Sequence, residues 1–119
     1  MSAKPPSQLT PYAPGTPDEL DAVAAAPLNH EVILENGLVR VLRVTVRAGE
    51  IEEKHTHRWP SVFTITKRPR IKYFNDQGQV DLGSPPEEGV PFWLEPEGVH
   101  WVENPADFDL EAIRIELKK

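Results

Sequence analysis

Residues 49–61 read GEIEEKHTHRWPS and form the most informative stretch of this sequence. His55 and His57 stand two positions apart, and side chains at that spacing project to the same side of an extended strand. Two imidazoles placed in this way can reach one metal ion at about 2.0–2.2 Å without strain. Residues 96–104, PEGVHWVEN, supply a third histidine, His100. Since distant strands commonly meet inside a barrel, we predict that His55, His57 and His100 are metal ligands.

The sequence around these histidines has the period of β-strands. Over residues 39–47, Leu42 and Val44 alternate with polar residues, which is typical of a half-buried strand. In the last strand Arg114 and Glu116 alternate with isoleucines. Further short strands are predicted over residues 32–34, 61–66, 70–74, 80–82, 91–94, 99–103 and 110–117. No helical pattern lies between them to make parallel crossovers, so the predicted class is all-β, a sandwich or a barrel.

A helix signal precedes the strands. Thr16 is suited to an N-cap, Pro17 to the first helical position and Glu19 to the third, so we predict a short helix over Pro17 to Ala26. Residues 1–15 are rich in proline and have no period, which indicates an extended arm. The predicted organisation is an arm with a short helix over residues 1–30 and a β-barrel domain over residues 31–119.

Length and composition limit the partners. A chain of 119 residues fits a single domain, and its net charge of −6 argues against a nucleic-acid partner. The absence of cysteine excludes disulfides and thiolate metal sites. No signal peptide or apolar membrane span is apparent, so we expect no membrane partner and a cytoplasmic location. The basic run over residues 67–72 is read as a solvated turn and strand edge, with a small anion patch as the alternative.

The two histidine segments resemble the paired motifs of the cupin superfamily. The first motif is a glycine, five residues, His-x-His and a glutamate four positions later; the second is Pro-x-Gly, two residues, a histidine, three residues and an asparagine. The matching positions are Gly49, His55, His57, Pro96, Gly98, His100 and Asn104, with one residue instead of two between Gly98 and His100. The resemblance covers roughly residues 31–117. It implies an RmlC-like jelly-roll barrel, the double-stranded β-helix, and a homodimer.

The sequence departs from the first motif at the glutamate, where Ser61 stands. The resemblance is therefore to the three-histidine variant found among cupin-type thiol and diketone dioxygenases. It implies one divalent transition metal ion, with iron (Fe) as the first expectation and zinc (Zn), nickel (Ni) or manganese (Mn) as alternatives. Three neutral imidazoles leave both charges of such an ion uncancelled, which favours an anionic, chelating small molecule. The implied function is a small metal-dependent, dioxygenase-like oxidoreductase.

Candidate substrate contacts are Arg43 and Arg58, because arginine suits bidentate carboxylate binding, and Trp59, which adjoins the metal segment. A solvated strand face would explain both arginines equally well. His30 is expected at the surface, and the glutamates Glu50, Glu52 and Glu53 are expected to be solvated.

Two other functions remain open at this stage. A non-catalytic small-ligand-binding or sensor module is consistent with the missing glutamate, which would weaken a metal site. A metal-independent sugar epimerase would need an acid–base pair such as a histidine and a tyrosine, for which Tyr73 is the candidate.

Overall fold

The computed structural model describes residues 9–118, so the first eight residues of the predicted arm and Lys119 lie outside the described part. Within this range the chain forms antiparallel strands and very little helix, which confirms the all-β prediction. The strands are β1 (His30–Glu35), β2 (Val39–Val46), β3 (His55–His57), β4 (Ser61–Lys67), β5 (Lys72–Asn75), β6 (Gly78–Val80), β7 (Phe92–Leu94), β8 (Glu97–Glu103) and β9 (Leu110–Leu117).

The strands form two sheets whose neighbours are mostly distant in sequence. One sheet has the order β1-β2-β9-β4-β7 and the other the order β3-β8-β5-β6. The longest pairing joins β2 to β9 without interruption, from Val39 opposite Leu117 to Val46 opposite Leu110. Because strands far apart in the chain lie side by side, side chains from both ends of the sequence face the same interior.

The interior has an apolar part and a polar part. The apolar core comes from β2, β4 and β9 and consists of Leu42, Val44, Val46, Ile65, Leu110 and Ala112. Along β9 the buried positions continue from Leu110 and Ala112 to Arg114 and Glu116, while the isoleucines between them are only half-buried. Arg114 and Glu116 therefore lie on the face of β9 that points to the interior. A buried arginine and glutamate require charged or hydrogen-bonding partners, and these lie around the histidines.

The predicted helix over Pro17 to Ala26 is interrupted. A 3-10 turn spans Asp18–Leu20 and a single α-helical turn, α1, spans Ala22–Ala25. Asp21 lies between them in an extended conformation, where its carboxylate accepts a hydrogen bond from the Val23 amide at 3.3 Å and pairs with Arg40. The expectation of one continuous helix was wrong because these contacts hold Asp21 outside helical geometry. No helix among residues 9–118 is long and apolar enough to cross a membrane.

Two residues of the second motif have structural roles. The Gly98 amide donates a hydrogen bond to the Thr10 carbonyl at 2.8 Å, and a Cβ at position 98 would lie 2.4 Å from the carbonyl oxygen of Pro11. Only glycine admits this close crossing of the N-terminal segment over β8. Asn104 is fully buried and donates to the carbonyls of Val46 and Phe108, both at 2.9 Å, which fixes the turn before β9.

Candidate metal centre

All four histidines of the chain are buried in one cluster. The β3–β8 pairing sets His55 opposite His100, with ring centroids 4.5 Å apart. The His57 ring centroid lies 5.1 Å from that of His55 and 5.5 Å from that of His100. The structure thus brings together the three histidines that the two motifs contain.

The fourth member, His30, corrects the sequence analysis. It was expected at the surface, yet it is only 4% exposed, and its ring centroid lies 4.6 Å from that of His55 and 5.2 Å from that of His57. Its Nδ1 hydrogen-bonds the Ala26 carbonyl at 3.0 Å, so the end of α1 turns the ring inward. A single histidine with no characteristic spacing gives no sequence signal for this position.

A hydrogen bond at Nδ1 fixes the orientation of each imidazole. The partners are the Glu53 carbonyl for His55 at 2.8 Å, the Gly98 carbonyl for His100 at 2.7 Å, the Ala26 carbonyl for His30 at 3.0 Å and Glu116 Oε2 for His57 at 3.1 Å. Because a carbonyl or carboxylate oxygen can only accept, Nδ1 must carry the hydrogen and donate it. The Nε2 lone pair of each ring is left for another partner, which is the arrangement typical of metal-binding histidines.

The electrostatic environment keeps these rings neutral. Burial is the largest cause that lowers the pKa of all four histidines, and it lowers the pKa of His30 to about 4. Repulsion from neighbouring histidines and from Arg114 acts in the same direction on His55 and His57. At neutral pH the cluster therefore presents uncharged imidazoles, the form that binds metal ions.

A series of linked buried charged residues is hydrogen-bonded to His57 through Glu116. Glu116 Oε2 accepts from His57, while Glu116 Oε1 accepts from Arg40 Nε. Arg40 in turn contacts both carboxylate oxygens of Asp21, at 3.0 and 3.1 Å. Burial raises the pKa of Glu116, and the hydrogen bond from Arg40 opposes this effect. Such carboxylate–histidine pairs fix the ring orientation and the tautomer of a metal ligand.

Glu52 is a second correction. It was expected to be solvated, but its backbone pairs with Val102 and turns the side chain inward, where it is 6% exposed. Its Oε1 accepts a hydrogen bond from the Val102 amide and lies 3.9 Å from His55 Nε2. Its Oε2 lies 3.8 Å from His30 Nε2. Burial raises the pKa of Glu52 to about 8.

Another carboxylate, Glu97, lies on the opposite side of the cluster. Its Oε2 accepts from the Tyr73 hydroxyl at 2.9 Å and lies 3.6 Å from His100 Nε2, and its Oε1 is 2.9 Å from Arg114 Nη2. Burial acts to raise the pKa of Glu97, but its electrostatic interactions with His100 and Arg114 and the hydrogen bond from Tyr73 hold this pKa below its usual value. Glu97 is thus an ionised group that already has a cationic partner.

Ser61 and Tyr73 have roles that the motifs did not indicate. The Ser61 hydroxyl, fully buried at the expected place of the glutamate, accepts from Arg114 Nε at 3.0 Å. The Tyr73 ring stacks on His100 with centroids 5.0 Å apart, so a histidine–tyrosine pair does exist. Burial raises the pKa of Tyr73, and its hydroxyl donates to Glu97, which makes it a poor proton donor to a substrate.

Among residues 9–118, two sets of three side chains could hold a metal ion. One comprises His30, His55 and His57, and the other comprises His57, Glu97 and His100. Within each set one ligand atom per residue lies within 4.8 Å of the others. His57 belongs to both sets, so loss of its imidazole would remove a ligand from either one.

The cluster lies in a cavity of about 640 Å³. Its polar lining includes the four histidines, Glu52, Glu97 and Arg114, and its apolar lining includes Val44, Phe63, Ile65, Phe92 and Leu94. Arg68, Arg70 and Lys72, from the basic run, also line it. The cavity therefore offers lone-pair donors beside an apolar wall and several cations.

The three predicted substrate contacts are not among the described residues that line this cavity. Arg43 is exposed and donates to Glu31 at 3.0 Å, because it has the outward parity of β2. Arg58 pairs with Asp18 at 2.9 Å, and its guanidinium lies 4.5 Å from the ring centroid of Trp59. Of the arginines that line the cavity, the buried one is Arg114, and its position in the sequence two and four residues after Ala112 and Leu110 places it on the same face of β9 as these core residues.

No protein-family model and no curated protein matches the sequence. Solved structures do match it. A cupin domain from Bordetella pertussis Tohama I is 23% identical with a TM-score of 0.67, over 76% of this chain and 92% of that one. An RmlC-like cupin family protein with a double-stranded β-helix fold, from Methanocaldococcus jannaschii, is 17% identical with a TM-score of 0.56, over 74% of this chain and 77% of that one. A cupin superfamily protein from Desulfitobacterium hafniense DCB-2 is 12% identical with a TM-score of 0.51, over 95% of this chain and all (100%) of that one. The chain therefore has the cupin fold, a double-stranded β-helix, as the two histidine motifs implied.

Proposed function

We propose that this protein binds one divalent transition metal ion in the histidine cluster and acts as a metal-dependent, dioxygenase-like oxidoreductase on a chelating anionic small molecule. The observation that supports the metal site best is the common tautomer of the four imidazoles. Each Nδ1 is committed to a fixed oxygen, which leaves four Nε2 lone pairs in one buried cluster. Iron(II) is the first expectation from the resemblance, and zinc, nickel and manganese are alternatives, because imidazoles bind all of these ions.

The charges around the cavity support an anionic substrate. Neutral imidazoles do not cancel the charge of a divalent ion, and Arg114 adds a buried cation beside them. Arg70 and Lys72 are exposed cations on the lining of the same cavity. A carboxylate, enolate or thiolate that enters this cavity would meet positive potential along its path.

The lining suggests how the chain's own residues would assist the reaction. The histidines hold the ion, and the apolar wall that includes Phe63 and Phe92 excludes water from it. Arg114, held by Ser61 and Glu97, presents a fixed positive charge to the anionic group of the substrate. When bound, the ion supplies Lewis-acid and redox chemistry to a ligand that chelates it.

Elemental analysis of the purified protein tests the metal site. We expect close to one transition metal ion per chain in the wild type and loss of most of it in His57→Ala, because His57 belongs to both candidate sets. Glu53→Gln is the matched control, since Glu53 is exposed next to the cluster, and it should retain the metal. A wild type without metal, even after reconstitution, would overturn the proposal.

Oxygen consumption tests the reaction separately. The metal-loaded protein should consume oxygen with a 1,3-diketone or a thiol acid from a panel of chelating anions, and His57→Ala should not. Should the protein hold metal and yet neither consume oxygen nor convert any compound of a broad acid panel, the dioxygenase assignment would fall.

A non-catalytic ligand-binding or sensor module is the second candidate function. It is favoured by Ser61, which stands where the motif has a glutamate and is engaged by Arg114. This function predicts that a small carboxylate raises the melting temperature of protein stripped of metal. The absence of any such shift, together with oxygen consumption by the metal-loaded form, would exclude it.

A further inference from the structure

We infer that the metal ion lies on the side of the cluster formed by His30, His55 and His57, with Glu52 as its carboxylate ligand. This inference rests on the proposed metal site and selects one of its two candidate sets. His30 stands outside both sequence motifs, and Glu52 occupies one of the five unspecified positions between Gly49 and His55, so neither motif assigns them a metal-binding role. The donor set would be three neutral imidazoles and one carboxylate, in which Glu52 replaces the charge that Ser61 removes.

The first argument is the arrangement of lone pairs around Glu52. His30 Nε2 lies 3.8 Å from Glu52 Oε2, and His55 Nε2 lies 3.9 Å from Glu52 Oε1. Both rings donate through Nδ1, so both Nε2 atoms present lone pairs to the carboxylate. Acceptors that face one another in a buried place repel unless a proton or a metal ion lies between them, so this arrangement is one that a metal ion can occupy by displacing the Glu52 proton.

The spacing of these atoms suits a metal ion. Ligand atoms about 2.0–2.2 Å from a common tetrahedral zinc-type ion are themselves separated by about 3.4 Å. The nitrogens of His30, His55 and His57 already lie within 4.8 Å of one another, and Glu52 is 3.8–3.9 Å from two of them. A small inward movement of buried side chains would complete the coordination.

The second argument comes from the other candidate set. The carboxylate of Glu97 is 2.9 Å from Arg114 and accepts from the Tyr73 hydroxyl at 2.9 Å. A divalent ion bound to Glu97 would have to displace or repel a buried guanidinium. Glu52 has no arginine or lysine among its ion-pair partners within residues 9–118; its partners there are His30 and His55. Among residues 9–118, the buried carboxyl group with no arginine or lysine for a metal ion to displace is therefore the one on the His30 side.

A titration with Co²⁺ of protein stripped of metal by a chelator tests this assignment. The variants are His30→Gln and Glu52→Gln for the inferred set and His100→Gln for the other set, with Glu53→Gln as the exposed control. Loss of a residue that only supports a metal ligand costs about 10–100-fold in affinity, so loss of a ligand should cost about 100-fold or more. We expect this loss in His30→Gln and Glu52→Gln, and a loss of about 10-fold or less in His100→Gln.

The visible spectrum of bound Co²⁺ provides a readout that is independent of stability and activity. Its bands should change in position or intensity in Glu52→Gln and remain as in the wild type in Glu53→Gln. The metal-free Glu52→Gln protein should be folded, because its amide NH₂ can donate to a facing Nε2 lone pair. Its circular dichroism and melting temperature check this point.

Each result has a defined meaning. If Glu52→Gln and His30→Gln bind Co²⁺ as tightly as the wild type, or if His100→Gln loses more affinity than either, the inference is overturned while the proposed metal site stands. If the wild type itself does not bind Co²⁺, the inference and the proposed metal site both fall.

Discussion

Replacement of Glu116 by glutamine tests the chain of buried charges behind His57. Glu116 accepts hydrogen bonds from two donors, Arg40 Nε through Oε1 and His57 Nδ1 through Oε2. A glutamine of the same shape has one acceptor oxygen, and its NH₂ group would face the second donor. The substitution therefore leaves one buried donor without an acceptor and removes the negative charge next to Arg40.

The expected cost follows from these contacts. A buried polar group left unsatisfied costs about 1–3 kcal/mol, and breaking a buried ion pair costs about 3–5 kcal/mol. Arg40 keeps both contacts with Asp21 and so retains one anionic partner, which reduces the cost of losing the Glu116 charge. We expect Glu116→Gln to lower the free energy of unfolding by about 2–3 kcal/mol and the metal affinity by about 10–100-fold.

Urea denaturation of the metal-free protein at pH 7 measures the first effect, and titration with Co²⁺ measures the second. Glu111→Gln is the matched control on the same strand, because Glu111 pairs at 3.4 Å with an exposed Lys67. Such a surface pair contributes about 0–1 kcal/mol. Equal losses of stability in the two variants would refute the reasoning that Glu116 is the shared acceptor of two buried donors.

Three further predictions concern other parts of the molecule. Burial lowers the pKa of the four histidines, that of His30 to about 4, and raises that of Glu52 to about 8. Below pH 6.5 the histidines of the unfolded chain bind protons, whereas those of the folded chain do not. Above pH 4.5 Glu52 loses its proton in the unfolded chain, whereas it keeps that proton in the folded chain. At pH 6.5 the unfolded chain holds about two histidine protons more than the folded chain, which holds one more on Glu52, so stability still rises with pH there. Denaturation curves of metal-free protein should therefore show greatest stability near pH 7, with a loss toward pH 5 and a smaller loss toward pH 8. A flat profile would contradict this assignment. Gly98→Ala should lower the free energy of unfolding by about 1–3 kcal/mol, because its Cβ would meet a backbone carbonyl of the N-terminal segment, whereas Gly37→Ala, with open space around it, should change little. We propose that the homodimer implied by the resemblance pairs through the exposed apolar edge strand β1, so Leu34→Lys should give a monomer by light scattering, and an unchanged mass would exclude this edge as the interface.

The sequence was sufficient for the features that depend on short-range pattern. Alternation over β2 predicted that Leu42 and Val44 would be buried, and the His55-x-His57 spacing predicted that both rings would face one side. The second motif added His100. The strand pattern predicted the all-β class, and the resemblance of the two motifs to those of cupins implied the double-stranded β-helix. Patterns of this kind survive in a single sequence because the period of a strand constrains neighbouring residues directly.

Only the tertiary structure revealed the residues that complete the site. His30 and Glu52 have no characteristic spacing in the sequence, and Arg114 follows the strand period but is a charge at a position that the period alone does not show to be buried. All three reach the cluster because α1, β8 and β9 pack around it. Arg43 and Arg58 were equally plausible from composition, yet strand parity and local ion pairs direct them outward. Which isolated charges are buried depends on pairings between residues far apart in the chain, and a local pattern contains no information about them.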